Sequence, residues 1–226
     1  MTTTSMDILD AAQLLQQRLV PGDLESTLNA ITRAAVDVLP GVDHASFSMR
    51  HPDGTLDSYA VTGEIIVQLD ERQFELREGP CYDGATQNAF AVSADLLVDP
   101  RYPRYGPFAA SLGIRTQAGV RLFENPKTVG ALNLFGREVG ALEDAEELSR
   151  LFAHQAAVAL AYSIEIQGLN DALRSRTRIG QAVGIIMERY KLPEQQAFAF
   201  LTRLSQQGNI KLRRIADELV AATSRH

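Results

Sequence analysis

Apolar positions recur every three to four residues from Ile8 to Val20 and again through DLESTLNAITRAAVDVLP (Asp23 to Pro40). That spacing predicts two amphipathic helices. Asp23 can cap the second, and Pro40–Gly41 ends it. The period then drops to two. HASFSMR (His44 to Arg50) and TLDSYAVT (Thr55 to Thr62) alternate on either side of HPDG, which predicts a hairpin. LDERQFEL reads as helix, and REGPCYDGATQNAF (Arg77 to Phe90) as a Gly-Pro break followed by a short helix. VSADLLVDPRYPRYGPFAASLGI (Val92 to Ile114) reads as a short strand, a proline-punctuated loop and a helix. RTQAGVRLF and TVGALNLF flank ENPK as a second hairpin. A long helix follows, with Glu143, Asp144, Glu146 and Glu147 in its first turns, where the helix dipole favours acids. The order predicts an α+β module: an antiparallel sheet with helices packed against it.

No proline interrupts the chain from there to Pro193. A connector helix over about 143–190 is expected. Along it Tyr162, Ile166, Leu169, Leu173, Arg176, Gly180, Val183, Met187 and Tyr190 step alternately by four and three. This heptad rhythm, with Arg176 and Gly180 as its non-apolar rungs, predicts pairing with the same helix of a second copy. The alternative is a single helix lying on its own domain. Gly180 and Gly184 each cost the helix roughly 1 kcal/mol relative to alanine. Lacking side chains, they admit another backbone. Packing within the bundle is the reading for Gly184, and Gly180 is open between that and a nucleic-acid backbone.

Pro193 starts the next helix, with Ala197, Leu201 and Leu204 as its inner stripe. Gly208 ends it, and Asn209 can cap the last helix, whose Leu212, Ile215, Ala216 and Leu219 face inward. The tail is thus a three-helix bundle of about 50 residues, near the lower limit for independent stability.

Composition narrows the classes. Hydrophobic residues make up 45% of 226, enough for true cores. The amino terminus lacks the basic and apolar runs of a signal peptide. The longest apolar stretch, Leu151 to Ile164, is too short for a bilayer and contains His154 and Gln155. A soluble, cytoplasmic protein is expected. One cysteine forbids an intramolecular disulfide, and four scattered histidines give no metal-ligand spacing. No metal and no cofactor are expected. The net charge of −6 is unevenly spread: residues 165–226 hold 10 Lys and Arg against 6 Asp and Glu, and the rest 12 against 22. A basic end on an acidic body suggests two jobs in one chain.

Lys211, Arg213 and Arg214 open the last helix. A helix start is already positive, so cations there are unfavourable unless an anion arrives from outside. They point to a phosphate-bearing ligand. The bland alternative is exposed Arg213–Asp217 and Arg214–Glu218 pairs, which contribute little and leave Lys211 unexplained. Asn209, Arg176, Arg178, Arg189, Lys191 and Arg203 extend the candidate basic face. Phe198, Phe200 and Tyr190 are candidates for stacking on splayed bases, with core packing expected for at least two of them. In the front module Cys81 is the one thiol. A nucleophile needs a base or cation beside it, and His44, His51 and His154 cannot be placed there. A buried inert thiol is expected, with no catalytic residues and no enzyme.

TVGALNLFG together with LEDAEELSRLFAHQAAVALA, and the order of elements, resembles the GAF domain, a small-molecule-binding sensory fold, over roughly residues 8–162. IGQAVGIIMERY, QQAFAFL and NIKLRRIADELV resemble the ANTAR domain over residues 165–224. Ala182, Gly184, Met187, Ala197, Leu201 and Ala216 stand where that family carries small or apolar residues. Val183 stands where many members have lysine, a departure from the family at a position to which the resemblance gives an RNA-contact role. The combination is similar to the GAF–ANTAR proteins of actinobacteria. It implies a GAF-like sensory domain over 1–162 and an ANTAR domain over 163–226. It also implies transcription antitermination by binding paired RNA hairpins in nascent transcripts, with a homodimer formed through the connector. A small-molecule ligand of unassigned identity is implied for the front module, with Cys81, Tyr82, Tyr102 and Tyr105 as the candidate pocket. Tyr82 stands where bilin-binding members have histidine. The other reading is a protein-interaction adaptor whose basic tail docks an acidic partner.

Overall fold

The computed structural model describes residues 22–125, 128–142 and 146–223. The helix predicted over 8–20, and Glu143 and Asp144, lie outside the described residues. The chain divides into two compact units, one up to Ile164 and one from Glu165.

The first unit opens with α1 (Leu24–Val38), whose first turn is held by Asp23 accepting from the Ser26 amide at 3.0 Å. The hairpin β1 (His44–Arg50) and β2 (Leu56–Tyr59) follows, then α2 (Glu64–Leu76), α3 (Pro80–Thr86), β3 (Phe90–Ser93) and α4 (Tyr105–Ser111). The hairpin β4 (Thr116–Glu124) and β5 (Val129–Gly136) leads to α5 (Glu146–Tyr190). The five strands form one antiparallel sheet in the order β2-β1-β5-β4-β3.

Strand alternation gives the sheet two unlike faces. Ala45, Phe47, Ala118, Val120, Leu132 and Leu134 pack with Ile31 and Ala35 of α1 and with Phe152, Ala156 and Leu160 of α5 into an apolar core. Thr27 donates to Ser163 at 3.1 Å, tying α1 to α5 within this unit. The opposite face presents Ser46, Ser48, Gln117 and Asn133, all fully buried. Helix α3 lies directly on β4: a Cβ on Gly119 would stand 2.3 Å from the Pro80 carbonyl oxygen.

In the second unit, the last turns of α5 pack with α6 (Glu194–Gly208) and α7 (Leu212–Thr223). Ala182, Val183, Ile186, Ala197, Leu201, Ala216 and Val220 form the core. Three expectations change here. Leu204 is 41% exposed, so the inner stripe of α6 is Ala197 and Leu201, which pack into the core shared by α5 and α7. Asn209 does not cap α7; it closes α6 in the left-handed region at φ 50°, which asparagine tolerates. The Lys211 carbonyl instead accepts the Arg214 and Ile215 amides at the start of α7. The heptad ladder also splits. Ile166, Leu169 and Leu173 are exposed, whereas Val183 and Met187 are taken up by the bundle.

Candidate nucleic-acid interface

The start of α7 stands beside α5 across a cleft of about 1200 Å³. The α5 wall carries Asp171, Leu173, Arg174, Ser175, Thr177, Arg178 and Gln181. The other wall runs from Asn209 through Lys211, Arg213 and Arg214 to Asp217. Five cations therefore face two carboxylates, at a helix start whose free amides add positive potential. Lys211, Arg213 and Arg174 make no ion pair with another described residue. Arg178 reaches Asp217 at 3.6 Å and Gln181 at 3.5 Å, and Arg214 reaches Glu218 at 3.2 Å. Asp217 thus turns to Arg178 across the cleft, where the spacing along α7 alone suggests Arg213. These pairs are exposed and cost little to exchange for a phosphate.

Of the residues singled out from sequence for this face, Arg178, Lys211, Arg213 and Arg214 come together here with the neutral Asn209. Arg176 lines a separate groove with Gly180, Gly184 and Phe198, and Arg189 one with Gly184, Val220 and Thr223. Lys191 ends α5 at φ 52° and pairs with Glu188 at 2.9 Å. Arg203 is exposed on α6. Arg174 went unrecognised from sequence; its spacing of four from Arg178 puts both on one face.

The aromatic expectation is corrected. Tyr190, Phe198 and Phe200 are 55%, 46% and 39% exposed, so none is core. The small residues Ala182, Ala197 and Ala216 fill the bundle interior and leave no room for rings. Tyr190 and Phe200 pack against each other with their rings tilted by 38° and their centroids 5.9 Å apart. Gly184 is corrected too: a Cβ at Gly180 or Gly184 would meet nothing within 4 Å.

The front-module candidates belong to a buried network between α2, α3, α4 and the polar face of the sheet. Gln117 donates to the Cys81 sulfur at 2.6 Å and to Gln73 at 3.0 Å. Tyr105 donates to Gln117 at 2.7 Å, and Tyr102 to Asp83 at 2.8 Å. Tyr82 is half-buried, and its carbonyl accepts from Thr86 at 2.7 Å. Asp70, missed from sequence, accepts from Ser46 at 2.7 Å and Ser58 at 2.6 Å. Burial raises its carboxyl pKa to about 6, against the two hydroxyls. Burial, and then the Asp70 charge, push the Cys81 thiol well above its usual range. Among the described residues, Asp70 Oδ1, Gln73 Nε2 and Asn133 Oδ1 lack a hydrogen-bond partner. No group of His, Cys, Asp and Glu among the described residues could hold a metal ion, and no described helix is long and apolar enough to cross a membrane.

A family model for the GAF domain matches residues 22–161, and one for the ANTAR domain matches residues 167–220. No curated protein matches the chain. Among solved structures, it is similar to the GAF domain of a phosphoenolpyruvate-protein phosphotransferase from Coxiella burnetii. That likeness has 17% identity and a TM-score of 0.54, covering 74% of this chain and 99% of that one. It is also similar to the photosensory core module of a Stigmatella aurantiaca phytochrome, at 12% identity and a TM-score of 0.58, over 91% of this chain and 46% of that one. A third is free methionine-R-sulfoxide reductase from Neisseria meningitidis, in complex with its substrate. It has 14% identity and a TM-score of 0.50, over 70% of this chain and 89% of that one. At such identities the likeness shows the fold alone.

Proposed function

Because the chain belongs to the GAF domain family and carries an ANTAR domain behind it, we propose that it binds paired RNA hairpins in nascent transcripts and opposes their termination. ANTAR is an RNA-binding antitermination module and GAF a sensory one; both are regulatory. The observation that carries the reading is the cleft, where Lys211, Arg213 and Arg214 meet Arg174 and Arg178. Folding alone disfavours cations at the start of α7, and a phosphate chain reverses that cost. Hairpin loops supply phosphates together with splayed bases, which the exposed Tyr190, Phe198 and Phe200 suit.

Two copies joined through α5 bring two clefts to one transcript and gain affinity through effective concentration. The exposed Val158, Tyr162 and Ile164 of the first unit, and Ile166, Leu169 and Leu173 of the second, support such pairing. The signal enters the GAF domain, where a small polar ligand can satisfy the unpartnered atoms of Asp70, Gln73 and Asn133. The buried Cys81 thiol, with its raised pKa, is a poor nucleophile, so the reading is of a regulator and not an enzyme. Nascent transcripts place it in the cytoplasm.

The test is RNA affinity of Lys211→Ala with Arg214→Ala. Affinity for tandem stem-loops falls about tenfold or more, and the salt slope shrinks by roughly one per lost phosphate contact. The melting temperature holds or rises slightly. Unchanged affinity overturns the cleft assignment. Equal affinity for an acidic peptide supports the adaptor reading instead.

A further inference from the structure

On the buried polar face of the sheet, the hydrogen bonds fix which end of each side chain is free. Gln73 Oε1 accepts from the Cys81 amide at 3.1 Å and from Gln117 at 3.0 Å. A backbone N–H can only donate, so the Gln73 oxygen is spent and its Nε2 is the free end. The Ser46 hydroxyl gives its one proton to Asp70 at 2.7 Å. It must then accept from Asn133 Nδ2 at 3.0 Å, which leaves the Asn133 oxygen free. Asp70 Oδ2 takes both the Ser46 and the Ser58 hydroxyls, and Oδ1 takes neither. The free ends are two acceptors, Asp70 Oδ1 and Asn133 Oδ1, and one donor, Gln73 Nε2. All three side chains are fully buried, where an unmet polar atom is costly.

These ends belong to one cluster. Asp70 and Gln73 stand on one face of α2. Ser46 links Asp70 to Asn133, and Gln117, which holds Gln73, lies on the strand beside Asn133 and two residues along. Charge is the unbalanced part. The Asp70 carboxyl meets hydroxyls, Ser46 from β1 and Ser58 from β2. The titratable groups nearest it are Cys81 of α3 and Tyr105 of α4, and burial pushes the pKa of each well above its usual range, so both stay neutral. Asp83, also on α3, is turned to Tyr102. A buried carboxylate among neutral groups calls for a cation.

We infer that this cluster takes a small cationic nitrogen compound that also carries an acceptor oxygen. Its ammonium or amidinium N–H groups reach Asp70 Oδ1 and Asn133 Oδ1, and its carbonyl or hydroxyl oxygen accepts from Gln73 Nε2. The proposal rests on the sensory reading above and names the chemistry of the ligand. A carboxylate ligand would set its charge against Asp70 with a single N–H to hold it. A neutral amide matches the hydrogen bonds but leaves the carboxylate charge unpaired. Binding is linked to pH. Below its raised pKa of about 6 Asp70 holds a proton, and Oδ1 is the oxygen free to carry it. The cation takes the place of that proton, so affinity is full above the pKa and falls as pH drops through it.

The test titrates the full-length chain with two probes that differ only in charge, glycinamide as its ammonium ion and propionamide, in which a methyl group replaces the ammonium. Amide chemical shifts of Ser46, Asp70, Gln73 and Asn133 report binding. Glycinamide binds at about millimolar concentration, and propionamide about tenfold or more weaker. Glycinamide affinity rises about tenfold from about pH 5 to 7. Asp70→Asn, which keeps the shape of the side chain, weakens glycinamide about tenfold or more and abolishes its pH dependence; the wild-type pH profile stands as the readout if that variant fails to fold. Propionamide binding as tightly as glycinamide, or a glycinamide affinity that ignores pH, overturns the cationic class while leaving a ligand-binding sensory domain standing. Shifts from neither probe overturn both.

Discussion

Gly119 and Gly184 are the same residue in opposite settings, and they summarise how the two units differ. In the GAF domain, Gly119 lets the backbone of α3 lie on β4, with no room for even a methyl group. In the ANTAR domain, Gly184 faces open space. The first unit spends its small residues on closing a core. The second leaves Gly180 and Gly184, three aromatic rings and five cations uncovered. A region that tolerates exposed apolar and unpaired cationic groups is shaped for what it meets outside.

The largest expected effect sits on the closed side. Gly119→Val drives a branched side chain into the Pro80 carbonyl and costs about 3 kcal/mol or more, read as a lower denaturation midpoint. Next comes Asp70. Its folded pKa of about 6 lies above the ordinary 3.8, so the folded state binds the proton more tightly. The stability from the neutral form is full below about 3.8 and is lost as pH rises through 6. At about 1.4 kcal/mol per unit the loss reaches about 3 kcal/mol. Asp70→Asn removes that contribution, so a denaturation series from about pH 4 to 7 gives a flatter curve for the variant. A parallel curve would place the charge elsewhere. The smallest effect lies on the open side. Gly184→Ala stabilises the chain by about 1 kcal/mol, seen as slower hydrogen exchange in α5. A loss there would mean that Gly184 is covered.

The same contrast governs what the sequence revealed. The sheet hairpins were legible because alternation is local. The polar face was not: Ser46, Gln117 and Asn133 alternate as solvent-facing residues do, and their cover, Asp70 and Gln73, comes from a distant helix. Lys211, Arg213 and Arg214 stood out because cations at a helix start oppose the dipole. Arg174 did not, since in sequence it belongs to the connector and only the fold brings it to α7. Arg176, Arg189, Lys191 and Arg203 carried the same charge signal but point to other surfaces, which charge alone cannot distinguish. The rings of Tyr190, Phe198 and Phe200 misled because helical spacing marks a face without saying whether anything covers it.

The central claim, that the α5–α7 cleft holds the RNA phosphate chain, is tested most directly by salt dependence. Binding of the full-length chain to an RNA of two tandem stem-loops is followed from about 50 to 200 mM salt, beside Lys211→Ala with Arg214→Ala. The account predicts a steep linear fall of log affinity with log salt for the wild type, and a slope shallower by about two for the variant. Coincident slopes, or no binding at the lowest salt, would contradict it.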